Sequence, residues 1–206
     1  MRTLAIETAT EACSVALFAG GELMAHDHRV LGRGHAEQLV PMIAELPDKG
    51  RADRILVSLG PGSFTGVRIG IATARALGFA WQAEVFGYPT LALVAAMTGC
   101  DRPVTVCMNG GHGEWFIADF GPDLLAQNEM SSLAPSAAVE RGAQQVIAGS
   151  KASEFAELLG SGHEARDLLP DARHTATLPG AILTGNLVPI YGRAPDATPQ
   201  KARQAT

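Results

Sequence analysis

"TLAIETATEACSVALFAGGELMAHDHRV", residues 3–30, holds three strand patterns joined by two very short connections. Residues 3–10 read as a buried strand that ends in a polar turn. Residues 12–20 alternate small and apolar side chains, and a tight turn follows at Gly21-Glu22-Leu23. Residues 23–30 are more polar, so the third strand belongs nearer a sheet edge. Connections this short permit only antiparallel neighbours, because a parallel pair needs a crossover of a dozen residues or so.

Downstream the period changes. "LGRGH" (31–35) breaks the strand pattern, and "HAEQLVPMIAEL" (35–46) has helical spacing through Leu39, Met42, Ile43 and Leu46, with a bend predicted at Pro41. A fourth strand lies in "RADRILVSLG" (51–60) and a helix in "VRIGIATARALGFAWQ" (67–82). A fifth strand follows in "EVFGYP" (84–89), and Thr90 is read as the cap of a helix in "TLALVAAMTG" (90–99). A meander followed by β-α-β crossovers predicts an α/β fold, a mixed five-stranded sheet with helices packed on it. That order resembles the ribonuclease-H-like layout, the repeated unit of the actin-like ATPases. Near "CDRP" (100–103) the pattern restarts as a shorter, degraded copy. It has a hairpin in 104–111 and 114–121, a strand in 144–150 and a helix in 152–162. The reading is a first lobe over 1–100, a smaller second lobe over 101–193 and a flexible tail over 194–206.

Of the 206 residues 47% are hydrophobic and 18% charged, which suits a well-packed soluble protein. The formal net charge of −5 argues against nucleic acid as a direct ligand, and Lys201 and Arg203 are too sparse to form a basic patch. Cys13, Cys100 and Cys107 lack CxxC spacing and read as buried thiols rather than a disulfide or zinc framework. The start of the chain lacks the pattern of a signal peptide, and no stretch is apolar enough for a membrane span. The expected location is the cytoplasm.

"SLGPGSFTGVRIG" (58–70) carries more special chemistry than a plain turn needs. It lies between a strand and a helix, where backbone N–H groups favour an anion. Gly60, Gly62 and Gly66 permit close approach, Ser63 and Thr65 offer hydroxyls, and Arg68 could fork onto a phosphate. The spacing fits neither a P-loop nor a dinucleotide fingerprint. Two readings stay open, a loop that holds a shape and one that touches a nucleotide phosphate. In the helix beyond, Gly70, Ala74 and Gly78 recur every four residues. Such a stripe either meets the chain's own sheet or lets a helix of another chain approach.

Catalytic groups are hard to place. His35 has Leu39, not a second His, at i+4, so a helical metal pair is missing. His26 and His28 flank Asp27 on one strand face without an evident third ligand, and His112, His163 and His174 are isolated. Glu7 stands in the first turn with no glycine after it to admit a phosphate, and the glycines of "MNGGHGE" are explained by a hairpin turn.

Together "LAIETATEACSVAL" (4–17), "HAEQLVPMI" (35–43), "GPGSFTGVRIGIATARALGFA" (60–80), "GHGEWF" (111–116) and "VPIYGRAPDA" (188–197) resemble the TsaB (YeaZ) family. The resemblance covers about residues 1–120 and the closing motif. It implies an actin-like fold of two ribonuclease-H-like lobes and a role in making threonylcarbamoyladenosine in tRNA. It also implies a non-catalytic relative of TsaD that pairs with TsaD as a heterodimer, with TsaE joining and a homodimer when isolated. Contact with tRNA is then indirect. The implied partner interface is His35, Leu39, Met42, Ile43, Gly70, Ala74, Leu77 and Gly78. No metal, catalytic residue or cofactor of its own is implied, and ATP or ADP is left for the complex interface. The chain departs from the family at Glu7, where Asp is usual, and at Asn109-Gly110-Gly111. The competing readings are a nucleotide-binding module seated on Gly60–Arg68 and a weak ATPase or glycoprotease-like hydrolase.

Overall fold

The computed structural model describes residues 1–192. The expected tail, residues 194–206, and the last part of "VPIYGRAPDA" lie outside them.

The first sheet is built from β1 (Arg2–Glu7), β2 (Ala12–Ala19), β3 (Glu22–Val30), β4 (Arg54–Ser58) and β5 (Glu84–Tyr88), in the order β3-β2-β1-β4-β5. The meander β1-β2-β3 is antiparallel, and β1-β4-β5 are parallel. Helices α1 (His35–Glu45) and α2 (Phe64–Trp81) are the crossovers. α1 runs unbroken past Pro41. The second sheet holds β6 (Val104–Gly111), β7 (Glu114–Phe120), β8 (Ser131–Leu133), β9 (Val146–Ala148) and β10 (Glu164–Arg166), with α4 (Pro135–Arg141) and α5 (Ala152–Leu159) between strands. Its order, β10-β9-β6-β7-β8, is the first sheet's order with β6 standing for β1, β7 for β2, β8 for β3, β9 for β4 and β10 for β5. The expected duplication is therefore present. β8, α4 and β10 were not anticipated. They are three, seven and three residues long, too short to show a period.

Alternation along β1 sorts the core. Leu4 and Ile6 face α1 and α2 together with Val15, Leu17, Ile55 and Val57. Ala5 faces the other way, with Ala16, Phe18, Leu56 and Tyr88. Against that second face lies α3 (Thr90–Met97). Its Leu93 and Ala96 pack on the first sheet, while Leu91, Ala92, Val94 and Ala95 pack on Val104, Val106, Met108 and Phe116 of the second. α3 is thus apolar all round because both sides of it are core. Each fully buried Leu or Val contributes about 2 kcal/mol to the union. Its cap position is held by Pro89, not by Thr90, whose Oγ1 lies 2.5 Å from Ser58 Oγ. The far side of the second sheet is covered by α4 and α5 through Ala138, Ala152 and Phe155.

The division at residue 101 needs a correction at the other end. After β10 the duplicated pattern would place a counterpart of α3, but the chain forms two short 3-10 turns (Ala172–Thr177 and Gly180–Ile182) and extended segments. This strap returns to the first lobe. Ser14 Oγ donates to Asp171 Oδ1 (3.2 Å) and accepts from Ala172 N (2.9 Å). Thr184 and Gly87 exchange backbone hydrogen bonds of 2.7 and 3.0 Å at the edge of β5. Leu187 enters the core beneath α1 and α2, and Ile190 N donates to Leu59 O (2.7 Å).

Candidate functional site

Between the lobes lies a cleft of about 1120 Å³. The β1–β2 turn, the residues before α1 and the start of α2 line one side, and the β6–β7 hairpin lines the other. The glycine loop sits on the first-lobe wall. Several of its backbone groups are held by neighbours within the chain. Gly60, at φ +90, accepts a hydrogen bond from Thr90 N (2.8 Å) and donates to Ser58 Oγ (3.2 Å). A Cβ on Gly62 would overlap the Ala9 carbonyl, and one on Gly66 would overlap the Thr8 carbonyl. Ser63 N donates to Ala9 O (2.7 Å), and Thr8 Oγ1 donates to Gly66 O (2.8 Å). The glycines therefore let the loop lie flat on the β1–β2 turn.

The polar side chains follow suit. Ser63 caps α2, its Oγ accepting from Gly66 N (3.2 Å). Arg68 lies over the Phe64 ring, 3.3 Å from its centroid, and donates to the Tyr191 hydroxyl (2.8 Å). Its guanidinium is engaged by the strap, and the side chain lines the cleft beside Tyr191. Thr65 remains exposed on the lining. His35 is buried at the start of α1 with Nε2 3.2 Å from Ala12 O. His26 and His28 are not joined by further ligands. Asp27 pairs with Arg29 (2.6 Å), and among the described residues no group of three His, Cys, Asp or Glu could hold a metal.

Glu7 is the least ordinary group. It is fully buried at the end of β1, on the α3 side. Its Oε1 accepts from Ala9 N (2.8 Å), and Tyr88 Oη lies 3.0 Å from Ile6 O and 3.4 Å from Glu7 Oε2. Burial pushes the carboxyl up from 4.5 to about 7, against the hydrogen bonds that favour the anion. Burial likewise pushes the Cys13 and Cys107 thiols up to about 12, so both stay protonated and unreactive. In the second lobe Asp119 is held by Thr105 (2.6 Å), Asn128 (2.7 Å) and Arg141 (2.8 Å).

The expected interface residues point inward. Leu39, Met42 and Ile43 are buried in the core that α1 shares with the first sheet. On α2, Gly70 packs against Thr8 and Val57, Gly78 against Val85, Ala74 is fully buried and Leu77 half-buried. The small-residue stripe is where α2 meets its own sheet, and the reading of these side chains as a contact surface is corrected. The opposite faces of the same two helices are the open ones. Ala36, Val40 and Ala44 project from α1, and Ala72, Ala76, Phe79 and Ala80 from α2. Phe79 is 90% and Val40 54% exposed. Both helices cover one side of the first sheet, so these rows look the same way. Phe79 could have been found from the sequence. It lies half a turn round the helix from Gly70 and about 140° from Ala74, well off the small-residue stripe.

Fold and cleft define a class, the two-lobed ribonuclease-H-like α/β proteins. The family model described as TsaD, tRNA N6-adenosine threonylcarbamoyltransferase, matches residues 29–167. The TsaB protein of Escherichia coli, named a tRNA threonylcarbamoyladenosine biosynthesis protein, is 37% identical over 132 residues, 60% of this chain and 56% of that protein. This chain thus matches about half the length of that relative. The uncharacterized protein Rv3421c of Mycobacterium tuberculosis is 32% identical over 208 residues, 95% of this chain and 93% of that one. The structure of YeaZ from Pseudomonas aeruginosa superposes with a TM-score of 0.75 at 27% identity, covering 92% of this chain and 99% of that one. The chain belongs to the TsaB (YeaZ) family within the broader group that the TsaD model describes. Among the described residues, no helix is long and apolar enough to cross a membrane.

Proposed function

We propose that this chain is a non-catalytic subunit in the formation of threonylcarbamoyladenosine in tRNA, and that it binds a TsaD-type protein through the outward faces of α1 and α2. The observation that carries the reading is Phe79, a phenylalanine left 90% exposed beside the small exposed side chains of Ala72, Ala76 and Ala80. Small residues let a second helix pair come close, and one aromatic anchor supplies the binding energy. The family and the names of its members support the pathway. The cleft supports a role without chemistry, because Ser63, Arg68 and His35 are each engaged in a contact within the chain. On this reading TsaE joins the assembly and a second copy covers the same faces in the isolated protein. Any ATP or ADP then lies at the complex interface, and tRNA is held by the partner.

Phe79→Glu tests it. Replacing an exposed anchor by a charge leaves the fold intact, and loss of a hot spot costs about 2 kcal/mol or more, roughly 30-fold in affinity. Titration calorimetry against the TsaD-type protein of the same cell should show that loss, with an unchanged melting temperature. Binding as tight as that of the parent would remove the proposal's support. Ala74→Glu, in contrast, should unfold the whole protein, since it places a charge in a closed core.

A further inference from the structure

The strap crosses the mouth of the cleft. Ile190 is bound to Leu59 of the first lobe (2.7 Å), and Leu187 O accepts from Arg75 of α2 (3.1 Å). Tyr191 stacks on Phe64 with ring centroids 5.5 Å apart and planes at 29°, and Arg68 links both rings. The next residue, Gly192, belongs to the other wall. A Cβ there would overlap the ring of Phe116, which is buried in β7 of the second lobe. Within three residues the chain therefore passes from a fixed point on one lobe to a fixed point on the other. Tyr191 and Gly192 both line the cleft.

At the base of the cleft the two sheets are joined by α3, whose side chains belong to both cores. α3, with Leu124 and Ile182 packed against both cores, resists separation of the sheets at the base, so opening at the mouth is the motion left to the lobes. A second attachment at the mouth removes that freedom. The exposed position of Phe64, Arg68 and Tyr191 is then explained. The stack does not close a core, since Phe64 is 53% and Tyr191 44% exposed, and Arg68 donates there to a neutral hydroxyl. Its geometric effect is to pin the strap to α2 immediately before Gly192.

We propose that residues 190–192 form a latch that fixes the width of the interlobe cleft, with Arg68 and Phe64 as the catch on the first lobe and Phe116 as the stop on the second. The second lobe is held by this latch at one angle to the first, instead of rocking about α3. The catch lies on α2, so whatever seats itself along the start of that helix also acts on the latch. None of this depends on which protein binds the outward faces of α1 and α2.

The test is a distance across the cleft. Glu37 on α1 and Glu157 on α5 are exposed. In a Cys100→Ser background, Glu37→Cys and Glu157→Cys carry spin labels while Cys13 and Cys107 stay buried. The latched protein should give one narrow distance distribution. Arg68→Ala with Tyr191→Ala releases the catch, and Gly192→Val wedges against the stop. Each should broaden the distribution about two-fold or move its mean, with the far-ultraviolet circular dichroism of the parent. Tyr191→Phe keeps the stacked rings and should stay near the parent. Amide exchange in residues 108–112 should rise in the released variants. The proposal is overturned if folded released variants keep the parent's distribution, or if the parent is already as broad as they are. Should Gly192→Val lower stability, Arg68→Ala alone decides, because it removes only an exposed side chain.

Discussion

Gly66→Ala should destabilise the protein by about 3 kcal/mol or more, although alanine is the better helix former. Propensity alone would favour alanine by about 1 kcal/mol inside a helix. The new methyl, however, points into the Thr8 carbonyl at the end of β1, and a backbone atom cannot swing aside as a side chain can. Either α2 lifts from the sheet or the β1–β2 turn moves, and both carry buried apolar side chains with them. Gly62→Ala meets the Ala9 carbonyl in the same way and should behave alike. Gly70→Ala meets chiefly the Thr8 hydroxyl, which can rotate, and should cost distinctly less. Gly20→Ala, at φ +59 with open space around it, should cost about 1 kcal/mol for backbone strain alone. Urea midpoints for the four variants give the ranking. A Gly66→Ala midpoint equal to that of the parent would show that the glycines do not seat the loop on the turn.

The second large effect is a fall in stability between pH 4.5 and 7. Glu7 in the folded chain keeps its proton up to about pH 7, while in the unfolded chain it gives the proton up near 4.5. Within that window the folded state binds the extra proton, so stability decreases as pH rises and levels off above about 7. The span corresponds to about 3 kcal/mol at 1.36 kcal/mol per pH unit. Desolvation is the cause, and the hydrogen bonds from Ala9 and Tyr88 reduce it without cancelling it. Glu7→Gln keeps an oxygen for Ala9 N and cannot ionise. The difference between parent and variant should therefore change across pH 4.5–7 and be constant above it, which cancels every other titrating group. His174, whose pKa is lowered from 6.5 chiefly by burial, acts in the opposite sense below that value. A flat difference curve would mean that water reaches Glu7.

Most of the first lobe was legible because its side chains alternate or recur at one period over long enough runs. Leu4 and Ile6 against Ala5, or Leu39, Met42 and Ile43 on one side of a helix, leave little choice of fold. The order of elements then implied the sheet. The site was read less well for a physical reason. A row such as Gly70, Ala74 and Gly78 marks a close approach but carries no sign of what approaches. Val67 and Ile71 share that side and identify it as the core side. Ala72, Ala76 and Ala80 on the open side look like filler until Phe79 is placed beside them. The glycines of the loop raised the same ambiguity, since flexibility for a ligand and room for a neighbouring carbonyl call for the same residue. The path of the strap left no periodic signal, because extended chain and short 3-10 turns have no period, and its partners Ser14 and Arg68 are more than a hundred residues away in sequence.

The helix that both sheets enclose has a consequence for how the molecule comes apart. Neither half possesses a complete interior without Leu91, Leu93 and Val94, so neither half can melt while the other persists. Calorimetry should record one heat-absorption peak rather than two. Fragments divided at Cys100 should aggregate when made separately, the first exposing the half of the helix meant for its twin, the second lacking it altogether. Two sheets of one strand order thus share a single fate on heating.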